Sequence, residues 1–168
     1  MGWFTAWNRR KTLFIFLIMA ALMLTVITIG GRVLENEAMV TDFSRKNLAP
    51  CPAYPFGTDW MGRDMFVRTI TGLSLSIRIG LLTAAVSALI ACFMGTAAAC
   101  LGKAADGLVG IVIDLVMGIP HILLLILISF AAGKGFWGVM AGISLTHWTS
   151  LARLLRAEVM QLKESQYI

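Results

Sequence analysis

Residues 79–101 carry no charged side chain over 23 consecutive positions. A helix of that length crosses a bilayer, and no other element can bury so long an apolar run without leaving backbone groups unpaired in lipid. A second uncharged run, Leu13–Gly30, follows Arg9-Arg10-Lys11 and is also long enough to span. With 58% hydrophobic and 14% charged residues, the chain has the bilayer as its main solvent. Its formal net charge of +5 is scattered, with no aromatic-interleaved basic face, so nucleic acid is not expected as a partner.

Two further spans are expected. The third has Leu115–Ala132 as its apolar part, with Asp114 at one end and Pro120-His121 inside it. The fourth is Phe136–Ala152, containing Gly138-x-x-x-Gly142 and His147-Trp148. The fold class is therefore all-α integral membrane, with four transmembrane helices. Three stretches follow: 1–30, the N-terminus and first helix; 31–78, an outside loop and amphipathic helix; and 79–168, a core of three helices and the start of a cytoplasmic region. The basic cluster before the first span sets both ends of the chain in the cytoplasm. That cluster and apolar run resemble a signal peptide, but no A-x-A-like cleavage site follows, which favours an uncleaved helix. In the second span, Ala91-x-x-x-Gly95-x-x-x-Ala99 either permits close helix approach or reflects the general abundance of small residues in such helices.

The most specific stretch is polar. Gly57-Thr58-Asp59-Trp60-Met61-Gly62-Arg63-Asp64 follows a Pro-rich run and precedes an amphipathic segment. Thr58 or Asp59 is expected to cap a helix, and Asp59/Arg63 and Asp64/Arg68 are spaced as i,i+4 pairs. Phe66, Ile70, Leu73 and Ile77 make one helical stripe, giving a helix able to lie at a membrane surface or against other helices. Along the chain, Asp114 could line a path or join two helices. Pro120 is expected to bend the third span, and His121 reads as a satisfied polar side chain rather than a metal ligand. In Arg153–Ile168 a helical stripe continues between charged residues, as a solvated tail or a surface that meets a partner. No Walker A, G-x-S-x-G or H-E-x-x-H sequence occurs, and no Cys/His group has zinc-ligand spacing. No catalytic residue, cofactor or metal site is expected.

The polar stretch, followed by Arg68, Gly72-Leu73-Ser74-Leu75-Ser76-Ile77 and Gly80, resembles the signature of the C-type permease subunits of oligopeptide, dipeptide and nickel ABC importers. Asp106, Asp114 and Pro120 resemble that family's third-span pattern. Ser144-x-x-x-Trp148, Ala152-Arg153-x-x-Arg156 and Leu162-Lys163-Glu164-x-x-Tyr167 resemble the run into its ATPase-coupling loop. The resemblance implies a type I ABC importer permease-like bundle of six spans, of which four are present, in a bacterial-type inner membrane. It also implies a second homologous permease subunit forming a heterodimer, two ATP-binding subunits that hydrolyse the ATP, and an extracytoplasmic substrate-binding protein, all set in membrane lipid. By the same resemblance Gly57, Thr58, Asp59, Gly62, Arg63, Asp64 and Arg68 form a signature; its placement after one inward-anchored span and before three more favours a rigid elbow over direct substrate binding. Arg153, Arg156, Lys163, Glu164 and Tyr167 approach the ATPase. The family has an arginine near position 111; here Ile111 stands, which takes away the expected ion-pair partner of Asp106 and Asp114. The coupling element and two more spans would follow Ile168, so the sequence reads as a truncated permease. The expected function is a transmembrane permease for peptides or nickel chelates. The alternative is a non-transporting membrane scaffold or assembly subunit; an integral membrane enzyme lacks a supporting constellation.

Overall fold

The uncharged runs are helical. The computed structural model describes residues 3–164 in five helices: α1 (Trp3–Val33), α2 (Met65–Cys100), α3 (Lys103–Gly118), α4 (His121–Ala131) and α5 (Phe136–Glu164). Among the described residues there is no strand; two isolated β-bridges, Cys51–Tyr54 and Thr58–Asp64, pin the loop between α1 and α2.

Two helices are long and apolar enough to cross a membrane, Arg9–Val33 and Met65–Cys100. The count rises to three if α3 and α4 together make one span. The expected third span is thus not one straight helix: α3 and α4 meet at 96°. Pro120 explains where the break falls. A proline disfavours helical geometry in the residue before it, and Ile119 is extended at φ −92°, ψ 137°. Helix α2 also departs from expectation. The amphipathic stretch and the second apolar run are one helix of 36 residues, about 54 Å long at 1.5 Å per residue. That exceeds a hydrocarbon core of about 30 Å, so part of α2 stands outside it.

The chain divides into two units, Met1–Arg78 and Ile79–Ile168. In the first, α1 meets the opening turns of α2. Gly31 lies against Ser74 and the Ile70 carbonyl, where any Cβ would collide, and Ser74 Oγ donates to Thr28 O at 3.0 Å. Ser74 is completely buried, so this one hydroxyl can lie in the contact without being left unpaired. The apolar side chains from Leu13 to Leu24 stay exposed, as a lipid-facing surface requires.

In the second unit α2, α3 and α5 share a core of Ala91, Ala98, Val109, Ile113, Trp148 and Ala152. Small residues permit the approach of α2 and α5. A Cβ on Gly95 would lie 2.8 Å from Ala152 O and 3.0 Å from Leu155 Cβ. Ala91 is fully buried and Ala99 nearly so, which resolves the small-residue spacing in favour of a packing seam. Ser87 Oγ donates across it to Ser144 O at 3.1 Å. Gly142 repeats the device against α4, facing the Ser129 side chain and Leu125 O.

Candidate functional site

The polar stretch folds as a cradle around one carboxylate. Asp59 Oδ1 accepts from the backbone N–H groups of Met61 and Arg63, both at 2.9 Å. Its Oδ2 accepts from Arg63 Nε at 2.8 Å and Nη2 at 2.7 Å, and from Arg68 Nη1 at 2.5 Å. Burial pushes the Asp59 carboxyl up, but the bonds from Arg63 and Met61 outweigh it and hold its pKa at about 2, down from 3.8.

Two glycines shape the cradle. Gly57 (φ 70°) and Gly62 (φ 74°) occupy the left-handed region. Each also packs on backbone, Gly57 on the Leu48 carbonyl and Gly62 on that of Asp42, leaving no room for a side chain. The chain between the helices is thereby tied to the signature. Thr58 Oγ1 donates to Arg45 O and accepts from Leu48 N at 2.8 Å, and Asn47 N donates to Asp59 O at 3.0 Å. Asp42 accepts from the side chain and backbone of Ser44, which lower its pKa, and pairs with Arg45 at 2.9 Å. Arg45 Nη1 in turn donates to Tyr54 OH at 2.7 Å. Sequence reasoning passed over Asp42, Arg45 and Tyr54, because nothing local shows that residues 42–54 fold back on 57–64.

Two expected contacts are replaced. The helix does not begin at Thr58 or Asp59; Asp64 is its cap, accepting from Phe66 N at 2.8 Å and Val67 N at 3.4 Å. With Asp64 spent on backbone, Arg68 reaches past it to Asp59 instead of forming the i,i+4 pair. Trp60 remains exposed.

A second constellation lies in the other unit. Arg156 Nη2 donates to Asp106 Oδ2 at 2.6 Å and Arg156 Nε to Oδ1, a two-pronged pair between α5 and α3. Arg153 Nη2 donates to Asp114 Oδ1 at 2.5 Å. The loss of an arginine at position 111 therefore does not leave these aspartates unpaired; their partners come from α5. The spacing held the signal: Asp106 and Asp114 stand about two helical turns apart on one face of α3, and Arg153 and Arg156 about one turn apart on α5. Lys163 Nζ donates to Ala99 O at 2.8 Å and caps the last turn of α2. Arg153, Arg156 and Lys163 thus bond to neighbouring helices, while Arg153 and most of the tail from Ala157 to Lys163 stay exposed. Glu164 closes α5, and Tyr167 lies outside the described residues.

Pro120 and His121 stand at the α3–α4 break. The His121 ring packs edge-on against that of His147, with centroids 4.8 Å apart. Sequence reasoning missed this pairing, since 26 positions and a turn separate the two. Among the described residues no group of three or more His, Cys, Asp or Glu is placed to hold a metal ion.

The family model described as "Binding-protein-dependent transport system inner membrane component" matches residues 87–168, the stretch holding the α2–α5 seam and the ion pairs. The dipeptide transport system permease protein DppC of Bacillus subtilis is 31% identical over 166 residues, covering 97% of this chain and 52% of that protein. The oligopeptide transport system permease protein OppC of the same organism is 31% identical over 157 residues, covering 90% of this chain and 52% of that protein. The chain thus spans about half the length of the curated relatives it matches. Residues 87–168 thus match the family of binding-protein-dependent transport system inner membrane components, and nearly the whole chain is similar to the permease proteins DppC and OppC.

Proposed function

We propose that this chain forms part of the transmembrane permease of an ATP-driven importer for peptides, delivered by an extracytoplasmic binding protein. Nickel chelates are a second cargo class within the same reading. The observation that carries the proposal is the attachment of α5 to α3 and α2 through Arg153, Arg156 and Lys163. A force applied near the end of α5 passes to the neighbouring helices through charge-assisted bonds rather than through loosely packed apolar contacts. ATP hydrolysis belongs to separate subunits, and the remaining core to a homologous permease partner.

In this reading the chain crosses the inner membrane four times within a six-span architecture, with residues 31–78 outside and α5 ending in the cytoplasm. The α3–α4 pair is the third crossing, broken at Pro120, with Asp114, Pro120 and His121 along the path. The apolar part of α5 is the fourth. The Asp59 cradle is an elbow that fixes how α2 leaves the loop, and it does not contact cargo.

The test is crosslinking. A cysteine at Lys163 or Gln166, in a variant without Cys51, Cys92 and Cys100, should crosslink to a co-expressed ATP-binding subunit. It should react with thiol reagents only from the cytoplasmic side. Labelling from outside would overturn the topology. Crosslinking with no peptide uptake by the assembled complex would favour the scaffold reading instead.

A further inference from the structure

The break between α3 and α4 opens a cavity of about 550 Å3, walled by Pro120, His121, Thr146, His147, Thr149 and Ser150 among others. Irregular backbone at this depth is stable where it lines a polar, water-filled space. His121 is the first residue of α4, and His147 reaches the same space from α5. Their ring centroids are 4.8 Å apart with planes at 75°. Two imidazoles sharing one ion, each at a metal–nitrogen distance of about 2.0–2.1 Å, place their centroids about 4.5–5.2 Å apart. The observed separation falls in that interval.

The threonine donors on this wall are already used. Thr146 Oγ1 donates to Gly142 O at 2.9 Å and Thr149 Oγ1 to Thr146 O at 3.2 Å. His147 Nδ1 lies 3.1 Å from Ile143 O, so its proton belongs there and Nε2 keeps a free lone pair. Both imidazoles line the cavity. The carbonyls that end α3 add partial negative charge, offset by the N–H groups that open α4. The ionised side chains of α3 and α5 beside the break, Asp114 and Arg153, are bonded to each other.

We propose that His121 and His147 bind one late first-row transition-metal dication between their rings, with water completing its coordination in the cavity. Imidazole nitrogen suits Ni2+, Cu2+ and Zn2+, with Cu2+ the tightest by intrinsic affinity. Because the two ligands sit on either side of a turn, the bound ion holds α4 against α5. This inference stands apart from the transport reading, because it is tested on the chain without partners.

The experiment uses the untagged chain in detergent with Cys51, Cys92 and Cys100 replaced by Ser, since all three are free thiols. Copper(II) is titrated and followed by electron paramagnetic resonance. One equivalent should bind with nitrogen splitting from two imidazoles. His121→Asn and His147→Asn should each weaken binding roughly tenfold or more and reduce the splitting to one nitrogen. Zinc(II) should compete in the parent and not in the double variant. His121 is exposed, so H121N tests the site even where H147N perturbs folding. Binding within twofold of the parent in H121N, or splitting that persists in the double variant, would overturn the assignment.

Discussion

The α2–α5 seam makes one glycine unlike another on the same fold. Gly95 and Gly110 both lie inside helices of the second unit, yet a Cβ at Gly95 meets Ala152 O at 2.8 Å and Leu155 Cβ at 3.0 Å, and one at Gly110 meets nothing within 4 Å. Replacing each by leucine therefore has opposite consequences. At Gly110 the helix gains the propensity difference between glycine and leucine, about 0.8 kcal/mol. At Gly95 neither obstacle can swing away, because one is backbone and the other is attached directly to it. The helices must separate instead. Separation by about 0.5–1 Å forfeits a quarter to a half of each dispersion contact across the seam. It also stretches the 3.1 Å bond from Ser87 to Ser144 O. Overpacking of this kind costs about 3 kcal/mol. The two variants should then differ by about 4 kcal/mol, close to a thousandfold in the folding equilibrium. Reversible unfolding in mixed detergent micelles, followed by far-UV circular dichroism, measures that difference. If G95L and G110L agree within about 0.5 kcal/mol, tight packing at Gly95 is not what holds the seam.

Three further outcomes follow from the charges and turns. Asp59 is ionised in the folded loop with its pKa lowered from 3.8 to about 2, so its contribution is complete above pH 3.8 and is lost as pH falls towards 2. Protease sensitivity of the 34–64 loop should rise across that interval, and Asp59→Asn should remove the step while raising sensitivity at neutral pH. Replacing Gly62 by alanine forces a Cβ onto a φ of 74° and into the Asp42 carbonyl, and should cost about 1–3 kcal/mol in the same unfolding assay. For the ion pairs, a double-mutant cycle on Asp106/Arg156 should give a larger coupling than one on Asp114/Arg153. The first is two-pronged, with side chains 26% and 38% exposed; the second is single, with side chains 71% and 49% exposed. Equal couplings would remove geometry and burial as the reason.

What the sequence made legible was set by locality. Leu13–Gly30 and residues 79–101 declare themselves as helices because uncharged length alone decides it. Pro120 announces its own break, since the restriction on Ile119 acts through neighbouring bonds. Asp64 and Arg68 were misread for the complementary reason. Their spacing suits an i,i+4 pair, but the competing partners, the N–H groups of Phe66 and Val67 for one and Asp59 for the other, depend on where the helix starts. Arg156 with Asp106, His121 with His147 and Lys163 with Ala99 lie further still from local inference. Each joins positions from 26 to 64 residues apart, and only the packing of α5 brings them together.

That separation also has a consequence in time. Asp106 and Asp114 are synthesised 50 and 39 residues before the arginines that bind them. At about 5–20 residues per second, the interval is about 2–10 s. In the four-span reading proposed above, α3 enters the membrane before the α5 partners of its two carboxylates are made, and an unpaired charge in lipid is costly. In that reading the newborn α3 waits at the water-facing edge of the bilayer or inside the insertion machinery until α5 arrives. The order of synthesis thus makes α5 the element that completes the entry of α3, and a pause in translation between residues 114 and 153 should prolong the nascent chain's stay with its insertase.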